Sequence, residues 1–200
     1  MTTSGFEVDV TTQDIQGTGG NDPVKVDCFR DWALGMFIHW NVDSVVGSEI
    51  SHSMIGASED MLTKFEKELP NRFYPRKFDA EDYATLAEDV GMKYFCFTAK
   101  HHSGFCMYDT RTTGYNIVKS RFGRDITKEF LDAFRVHGIK TGLYFSPYDF
   151  HWLIKHNILL QFNAPGVLPS DYEEFMLYNQ RQITELLTQY GKVDLVFIDG

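Results

Sequence analysis

The 200-residue sequence has few cysteines, and the three present, at positions 28, 96 and 106, are scattered. Three cysteines without a Cys-x-x-Cys pair form neither a disulfide framework nor a cysteine-based zinc site. The chain also lacks excess positive charge, because 19 Lys and Arg face 28 Asp and Glu and give a net charge of −9. No apolar run approaches the roughly 20 residues that a membrane helix needs. We therefore predict no nucleic-acid partner and no membrane span.

The first residues lack the basic and apolar regions of a signal peptide. Their glycines, followed by Pro23, predict a flexible leader over residues 1–23 and a domain over residues 24–200. The compartment stays open between the cytoplasm and the trimmed form of a secreted, periplasmic or lysosomal protein.

Four short apolar runs, rich in Phe, Tyr, Val and Ile, have the composition of strands that are covered on both faces. They span residues 35–40, 94–99, 141–146 and 193–199. This pattern predicts four buried strands.

Amphipathic segments separate these runs and predict helices. One helix is predicted to begin at Asp79, one at Asp125, and one at a capping box formed by Ser170 and Glu173. The apolar stripe of the first comprises Tyr83, Leu86, Ala87 and Val90, and that of the second Thr127, Phe130, Leu131 and Phe134.

This alternation of strands and helices predicts the α/β class with parallel strands. A doubly wound open sheet and a (β/α)8 TIM-like barrel both fit. Neither a G-x-G-x-x-G sequence nor a Walker A sequence follows the first strand, so we favour the barrel. Four strand–helix units are half of such a barrel. We expect the 200-residue chain to be the N-terminal part of a catalytic domain, to be inactive by itself and to expose apolar strand residues.

Polar and reactive side chains follow every predicted strand at the same end, which is the end that carries active sites in a parallel barrel. They are His39 and Trp40, then Lys100, His101 and His102, then Tyr144, Ser146, Tyr148 and Asp149, and finally Asp199.

Two kinds of chemistry suit these residues. Asp199 could be the carboxylate nucleophile of a glycosidase, with imidazoles and Trp40 recognising the sugar. Alternatively, His39, the two adjacent histidines and Asp199 could bind a metal ion in a barrel hydrolase. The first strand lacks a His-x-His pair, and His101 and His102 would project in different directions from an extended chain, which disfavours the metal site.

The ordered motifs of residues 29–200 resemble the α-L-fucosidases of glycoside hydrolase family 29. The motifs are Gly35-Met36-Phe37-Ile38-His39-Trp40, Gly47-Ser48-Glu49, Phe78-Asp79-Ala80-Glu81, Thr98-Ala99-Lys100-His101-His102-Ser103-Gly104-Phe105, Arg124-Asp125, Gly142-Leu143-Tyr144-Phe145-Ser146 and Phe197-Ile198-Asp199-Gly200.

The resemblance implies a retaining exo-α-L-fucosidase that removes terminal fucose from glycoconjugates or oligosaccharides through a covalent fucosyl-Asp intermediate. It implies Asp199 as the nucleophile, no metal and no cofactor, and it leaves room for a homo-oligomer. The implied fucose-binding residues are His39, Glu49, His101, His102 and Tyr144, with Trp40 beside them. A non-catalytic sugar-binding relative and a metal-dependent barrel hydrolase are the alternatives.

Three positions depart from the family's usual pattern. Asn41 replaces the Gly that usually follows His-Trp, Ile50 replaces the Trp that often follows the Glu, and Ser103 replaces the Asp that commonly follows the His pair.

Overall fold

A computed structural model describes residues 22–51, 53–158 and 173–199. The chain divides into two compact units, Met1–Ala33 and Leu34–Gly200. The described part of the first unit contains helix α1, Pro23–Trp32, whose N-terminus is capped where Asp22 Oδ1 accepts from Val24 N–H at 2.9 Å. Almost all of the predicted leader lies outside the described residues, so its boundary at residue 23 stays a prediction.

The second unit is built on a four-stranded parallel sheet with the strand order β1-β2-β3-β4. This sequential order is that of a barrel segment, because a doubly wound sheet reverses its strand order at a switch point. The predicted parallel α/β architecture is confirmed. The strands are β1 Gly35–Ile38, β2 Tyr94–Lys100, β3 Lys140–Phe145 and β4 Leu195–Ile198.

The helices connect the strands and begin where capping side chains allow. As predicted, Asp79 and Asp125 cap two of them, accepting from Glu81 N–H at 3.0 Å and Lys128 N–H at 2.9 Å. The predicted capping residue Ser170 lies outside the described residues. No described helix is long and apolar enough to cross a membrane. The helices of this unit are a 3-10 helix Val42–Val45, α2 Glu59–Lys67, α3 Leu69–Arg72, α4 Ala80–Asp89, α5 Ile126–Val136, α6 Phe150–Lys155 and α7 Glu173–Gln189.

The main core lies between the sheet and the helices. Phe95 and Phe97 of β2 face α5, where Phe95 stacks on Phe134 with ring centroids 3.8 Å apart and Phe97 lies 4.8 Å from Phe130. All four rings are fully buried. The stripe predicted for this helix, which also includes Thr127 and Leu131, is buried as expected.

The stripe predicted for α4 is confirmed at Ala87 and wrong at its larger residues. The helix buries Ala80, Ala84 and Ala87, whereas the larger Leu86 and Val90 are about half exposed, at 54% and 51%. The three alanines lie at i, i+4 and i+7 and allow close packing, so this narrow face is buried instead of the wider apolar one.

The opposite face of the sheet carries a group of aromatic side chains that extends toward the ends of the strands. Phe37 of β1 and Phe197 of β4 have ring centroids 5.7 Å apart, and Tyr144 of β3 lies between them in the strand order. Phe37 and Phe197 are 43% and 46% exposed, and their apolar neighbours Val196 and Ile198 in β4 are also exposed. The prediction of four buried strands is therefore wrong for β1 and β4, which are the outer strands of this four-stranded sheet.

Candidate active site

The central contact of the candidate site joins Tyr144 and Asp199 at the carboxyl ends of β3 and β4. The hydroxyl of Tyr144 donates to Asp199 Oδ2 at 2.5 Å, and the Asp199 backbone N–H donates to the Phe145 carbonyl at 3.2 Å. Burial, and then the hydrogen bond to the carboxylate, raise the pKa of Tyr144 far above its ordinary value. The tyrosine therefore remains a protonated donor to one oxygen of Asp199.

His101 supports this tyrosine. Its Nε2 lies 2.9 Å from the Tyr144 hydroxyl, and its ring stacks on the phenol with centroids 4.9 Å apart. Its Nδ1 accepts a hydrogen bond from the His102 backbone N–H at 2.9 Å, so Nδ1 carries no proton. The proton must then be on Nε2, because the single hydroxyl proton of Tyr144 is already donated to Asp199. His101 Nε2–H therefore donates to the Tyr144 hydroxyl, and this hydroxyl donates to Asp199.

His39 has the opposite tautomer. Its Nδ1 lies 2.6 Å from Thr98 Oγ1, which donates its own proton to the Ile38 carbonyl at 3.0 Å. Nδ1 must therefore be the donor, and Nε2 carries a lone pair. Desolvation of the buried part of the ring lowers the pKa of His39, and the charge of Asp199 opposes this shift. His39 lies 4.8 Å from Tyr144 between ring centroids and remains exposed, which suits an acceptor for a substrate hydroxyl.

The two adjacent histidines lie in contact, which corrects the expectation that they project in different directions. Strand β2 ends at Lys100, the chain turns, and the rings of His101 and His102 lie 4.4 Å apart. His102 is buried, and its Nδ1 lies 2.5 Å from Ser146 Oγ. Within the described residues, no three His, Cys, Asp or Glu side chains form a group that could hold a metal ion.

Lys100 faces away from this cluster. Thr98 pairs with Tyr144 and Lys100 with Phe145, so Ala99 is an extra residue that forms a β-bulge. Past the bulge, Lys100 is directed toward the helices and His101 toward the site. The buried Lys100 ammonium is bound by Gln182 at 2.7 Å, Asn179 at 3.0 Å and Asp149 at 3.5 Å.

Two predicted site residues are not brought into the cluster. The Trp40 indole packs against Phe73 and Phe78, with centroids 5.0 and 5.6 Å apart. The expectation that it lies beside the histidines is wrong, because neighbouring residues of an extended chain point to opposite faces. Glu49 lies in the loop after the 3-10 helix with an exposed side chain, and no hydrogen bond joins it to the cluster in the described part of the chain.

Sequence reasoning missed two features of the site, namely the contact of Thr98 with His39 and the aromatic rings of Phe37 and Phe197. Thr98 is the one hydroxyl residue inside an otherwise apolar stretch of β2, and this was the available signal. Phe37 and Phe197 had no such signal, because aromatic residues in a strand are usually core residues.

The fold and the site together define a class. A carboxylate that ends a strand of a barrel-type parallel sheet, held by a tyrosine and surrounded by imidazoles with both donor and acceptor nitrogens, is typical of a TIM-barrel glycosidase.

The family follows from comparison with known proteins. The Alpha-L-fucosidase family model matches residues 20–200, and the chain belongs to this family of glycoside hydrolases. It is 31% identical over 175 residues to Alpha-L-fucosidase 1 of Arabidopsis thaliana, an alignment that covers 84% of this chain and 29% of the relative.

Solved structures of fucosidases share the fold. Alpha-L-fucosidase isoenzyme 1 from Paenibacillus thiaminolyticus matches with a TM-score of 0.71 and 31% identity over 88% of this chain and 42% of that one. A trapped covalent intermediate of a Bacteroides thetaiotaomicron fucosidase, with 2-fluoro-fucosyl fluoride, matches with a TM-score of 0.69 and 28% identity over 92% of this chain and 43% of that one. The chain thus spans less than half the length of these proteins.

Proposed function

We propose that the full-length protein is a retaining exo-α-L-fucosidase that removes terminal α-L-fucose from glycoconjugates or oligosaccharides. The observation that carries this proposal is the hydrogen bond from the Tyr144 hydroxyl to Asp199 at the carboxyl end of β4. Membership of the alpha-L-fucosidase family supports the substrate class, and the trapped covalent intermediate of the Bacteroides relative supports a covalent mechanism.

In the proposed mechanism Asp199 attacks the anomeric carbon of fucose. Because Oδ2 accepts the hydrogen bond from the Tyr144 hydroxyl, we assign the attack to Oδ1. The bond between the anomeric carbon and the leaving-group oxygen breaks as the fucosyl–Asp ester forms. Water then attacks the same carbon, the ester bond breaks, and the configuration is retained after two inversions.

The surrounding groups would bind the sugar. The Nε2 lone pair of His39 would accept a hydrogen bond from a ring hydroxyl, and the exposed Glu49 would bind a second hydroxyl from its loop. Phe37 and Phe197 would form an apolar wall for the methyl group of the 6-deoxy sugar. We assign His101 mainly to holding Tyr144, since its Nε2 proton is already donated.

A retaining site also requires a second carboxyl group, about 5 to 5.5 Å from the nucleophile, as acid and base. We assign this role to none of the described residues and keep Glu49 as a substrate contact.

The test is hydrolysis of 4-nitrophenyl α-L-fucoside by the full-length protein, with proton NMR to follow the anomer released first. We expect release of α-L-fucose, and a loss of about 10³-fold or more in kcat for Asp199→Gly. Asp194→Asn, which removes a carboxylate that binds the Thr141 backbone N–H away from the site, is the control and should retain activity.

Three outcomes would refute the proposal. Fucose binding without turnover would make the protein a sugar-binding relative. Activity that a chelator abolishes and zinc restores would make it a metal-dependent hydrolase. Initial release of the β-anomer would exclude the retaining mechanism.

A further inference from the structure

A buried polar cluster joins two loops beside the site. Asn41 and Ser103 lie 62 residues apart in the chain, and Asn41 Nδ2 donates to Ser103 Oγ at 3.2 Å. Both side chains are 1% exposed. The two loops therefore meet through buried side chains.

Asp43 supplies a carboxylate to the same cluster. It is 1% exposed, its Oδ1 accepts from Ser53 Oγ, and the Ser103 hydroxyl lies beside its carboxyl group. Ser103 accepts from Asn41, which leaves its own proton available to Asp43. Position 103 itself is neutral, so the buried negative charge of this cluster comes from the loop that follows β1.

The cluster links the segments on which two predicted fucose-binding residues lie. The Asp43 carboxylate accepts a hydrogen bond from Ser53 Oγ, which closes the loop that carries Glu49. On the other side, Ser103 directly follows His102. Loss of the Asp43 carboxylate can therefore move both segments without contacting the substrate.

We propose that Asp43 is a positioning residue of the site, whose carboxylate holds the Glu49 loop against the His102 turn through Ser53 and Ser103. The proposal rests on the proposed fucosidase function for its effect on catalysis. Its structural part, a single buried carboxylate that ties the two segments together, stands on these contacts.

A charge-relocation cycle in the full-length protein tests it. The variants are Asp43→Asn, Ser103→Asp and the double variant, assayed for kcat and KM on 4-nitrophenyl α-L-fucoside and for thermal unfolding. Ser103→Asp puts a second carboxylate beside Asp43, and we expect a lower unfolding temperature and a loss of about 10- to 100-fold in kcat/KM from displaced substrate contacts. Asp43→Asn leaves no carboxylate in the cluster and should raise KM more than it lowers kcat.

The double variant is decisive, because it moves the carboxylate to position 103 and keeps a single charge. We expect it to recover kcat/KM to within about threefold of the wild type and to unfold at a higher temperature than Ser103→Asp alone. Asp125→Asn is the matched control. This residue caps α5 and accepts from the Tyr190 hydroxyl at 2.6 Å, so its loss should lower stability and leave KM unchanged.

Additive effects of the two substitutions would overturn the proposal. So would a normal KM in all three variants, because Asp43 would then stabilise the fold without positioning the site. If the wild type neither hydrolyses the fucoside nor binds L-fucose, the proposed function fails. The unfolding temperatures then decide the structural part, since only a single carboxylate that ties the two segments together produces rescue in the double variant.

Discussion

Replacement of Asp43 by Asn should change how stability depends on pH. Burial raises the pKa of Asp43 from 3.8 to about 6, and hydrogen bonds from Ser53 and Asn41 limit this rise. One carboxylate oxygen, Oδ2, has no hydrogen-bond partner. Tyr115 also lies within reach of this charge, and its pKa is raised well above 10 by burial and then by Asp43, so it stays neutral. Asp43 is therefore the group that titrates in this cluster.

The sign and size of the effect follow from proton linkage. Between pH 3.8 and 6 the folded chain binds this proton more tightly than the unfolded chain, so the free energy of unfolding falls as the pH rises. The shift from 3.8 to about 6 corresponds to about 3 kcal/mol in total, most of which is lost between pH 4 and 7.5. An asparagine at this position does not titrate.

The assay is guanidinium denaturation of both proteins at several pH values from 4 to 7.5, followed by tryptophan fluorescence. We expect the free energy of unfolding of Asp43→Asn, relative to the wild type, to increase by about 2 kcal/mol over this range. The difference between the proteins cancels the titration of shared groups. The constant cost of placing an amide where Oδ2 lies remains in this difference but does not change with pH, so it does not affect the expected trend.

Asp194→Asn provides a control of opposite sign. Burial alone would raise the pKa of Asp194, but hydrogen bonds from Lys192 and the Thr141 backbone N–H lower it below its ordinary value. Its removal should therefore cost more stability at neutral pH than in acid. If the difference between Asp43→Asn and the wild type stays flat from pH 4 to 7.5, the burial of the Asp43 charge is refuted.

Three further substitutions test other contacts. Tyr144→Phe removes the hydrogen bond to Asp199 and should lower kcat of the full-length enzyme about 10- to 100-fold; an unchanged kcat would contradict a role for this bond. Gly104→Ala should lower the free energy of unfolding, measured in denaturant, by at least about 2 kcal/mol, because the added Cβ would lie 2.1 Å from Asp149 Oδ1 at a residue with φ of +81°. An unchanged stability would contradict this close approach of Gly104 to Asp149. Lys100→Met removes the cation that pairs with the buried Asp149 and should cost about 3 to 5 kcal/mol, measured in the same way; a neutral effect would contradict a stabilising role for this ion pair.

The positions of the strands were predictable because the amino-acid composition of a strand reflects its burial. The runs that become β2 and β3 have the Phe and Tyr content of covered strands, and their bounds in the structure differ from the predicted ones by at most one residue at each end. The start of α5 was predictable for a similar reason, since an Asp followed by an amphipathic stripe offers a local cap. The buried face of α4 was not predictable. Three alanines are a weaker apolar signal than Leu86 and Val90, and only the packing of neighbouring elements against the helix makes the alanine face the buried one.

The site was predictable in position but less so in arrangement. The carboxyl ends of parallel strands share one edge, so Tyr144 and Asp199 were expected to meet, and they do. Directions of side chains were not accessible in the same way. Trp40 follows His39 by one residue and points to the other face, a consequence of strand alternation that the motif resemblance obscured.

The bulge at Ala99 explains why Lys100 and His101, which are adjacent in the sequence, serve two separate purposes. With regular alternation, Thr98 and Lys100 would share the face of the site, and Lys100 would place an ammonium beside Asp199. One inserted residue directs Lys100 instead into a cage of Asp149, Asn179 and Gln182, which belong to the layer of helices. His101 then enters the site as a neutral donor to Tyr144. In the described part of the chain, Asp199, the proposed nucleophile, is thus held by the Tyr144 hydroxyl and not by the Lys100 ammonium group.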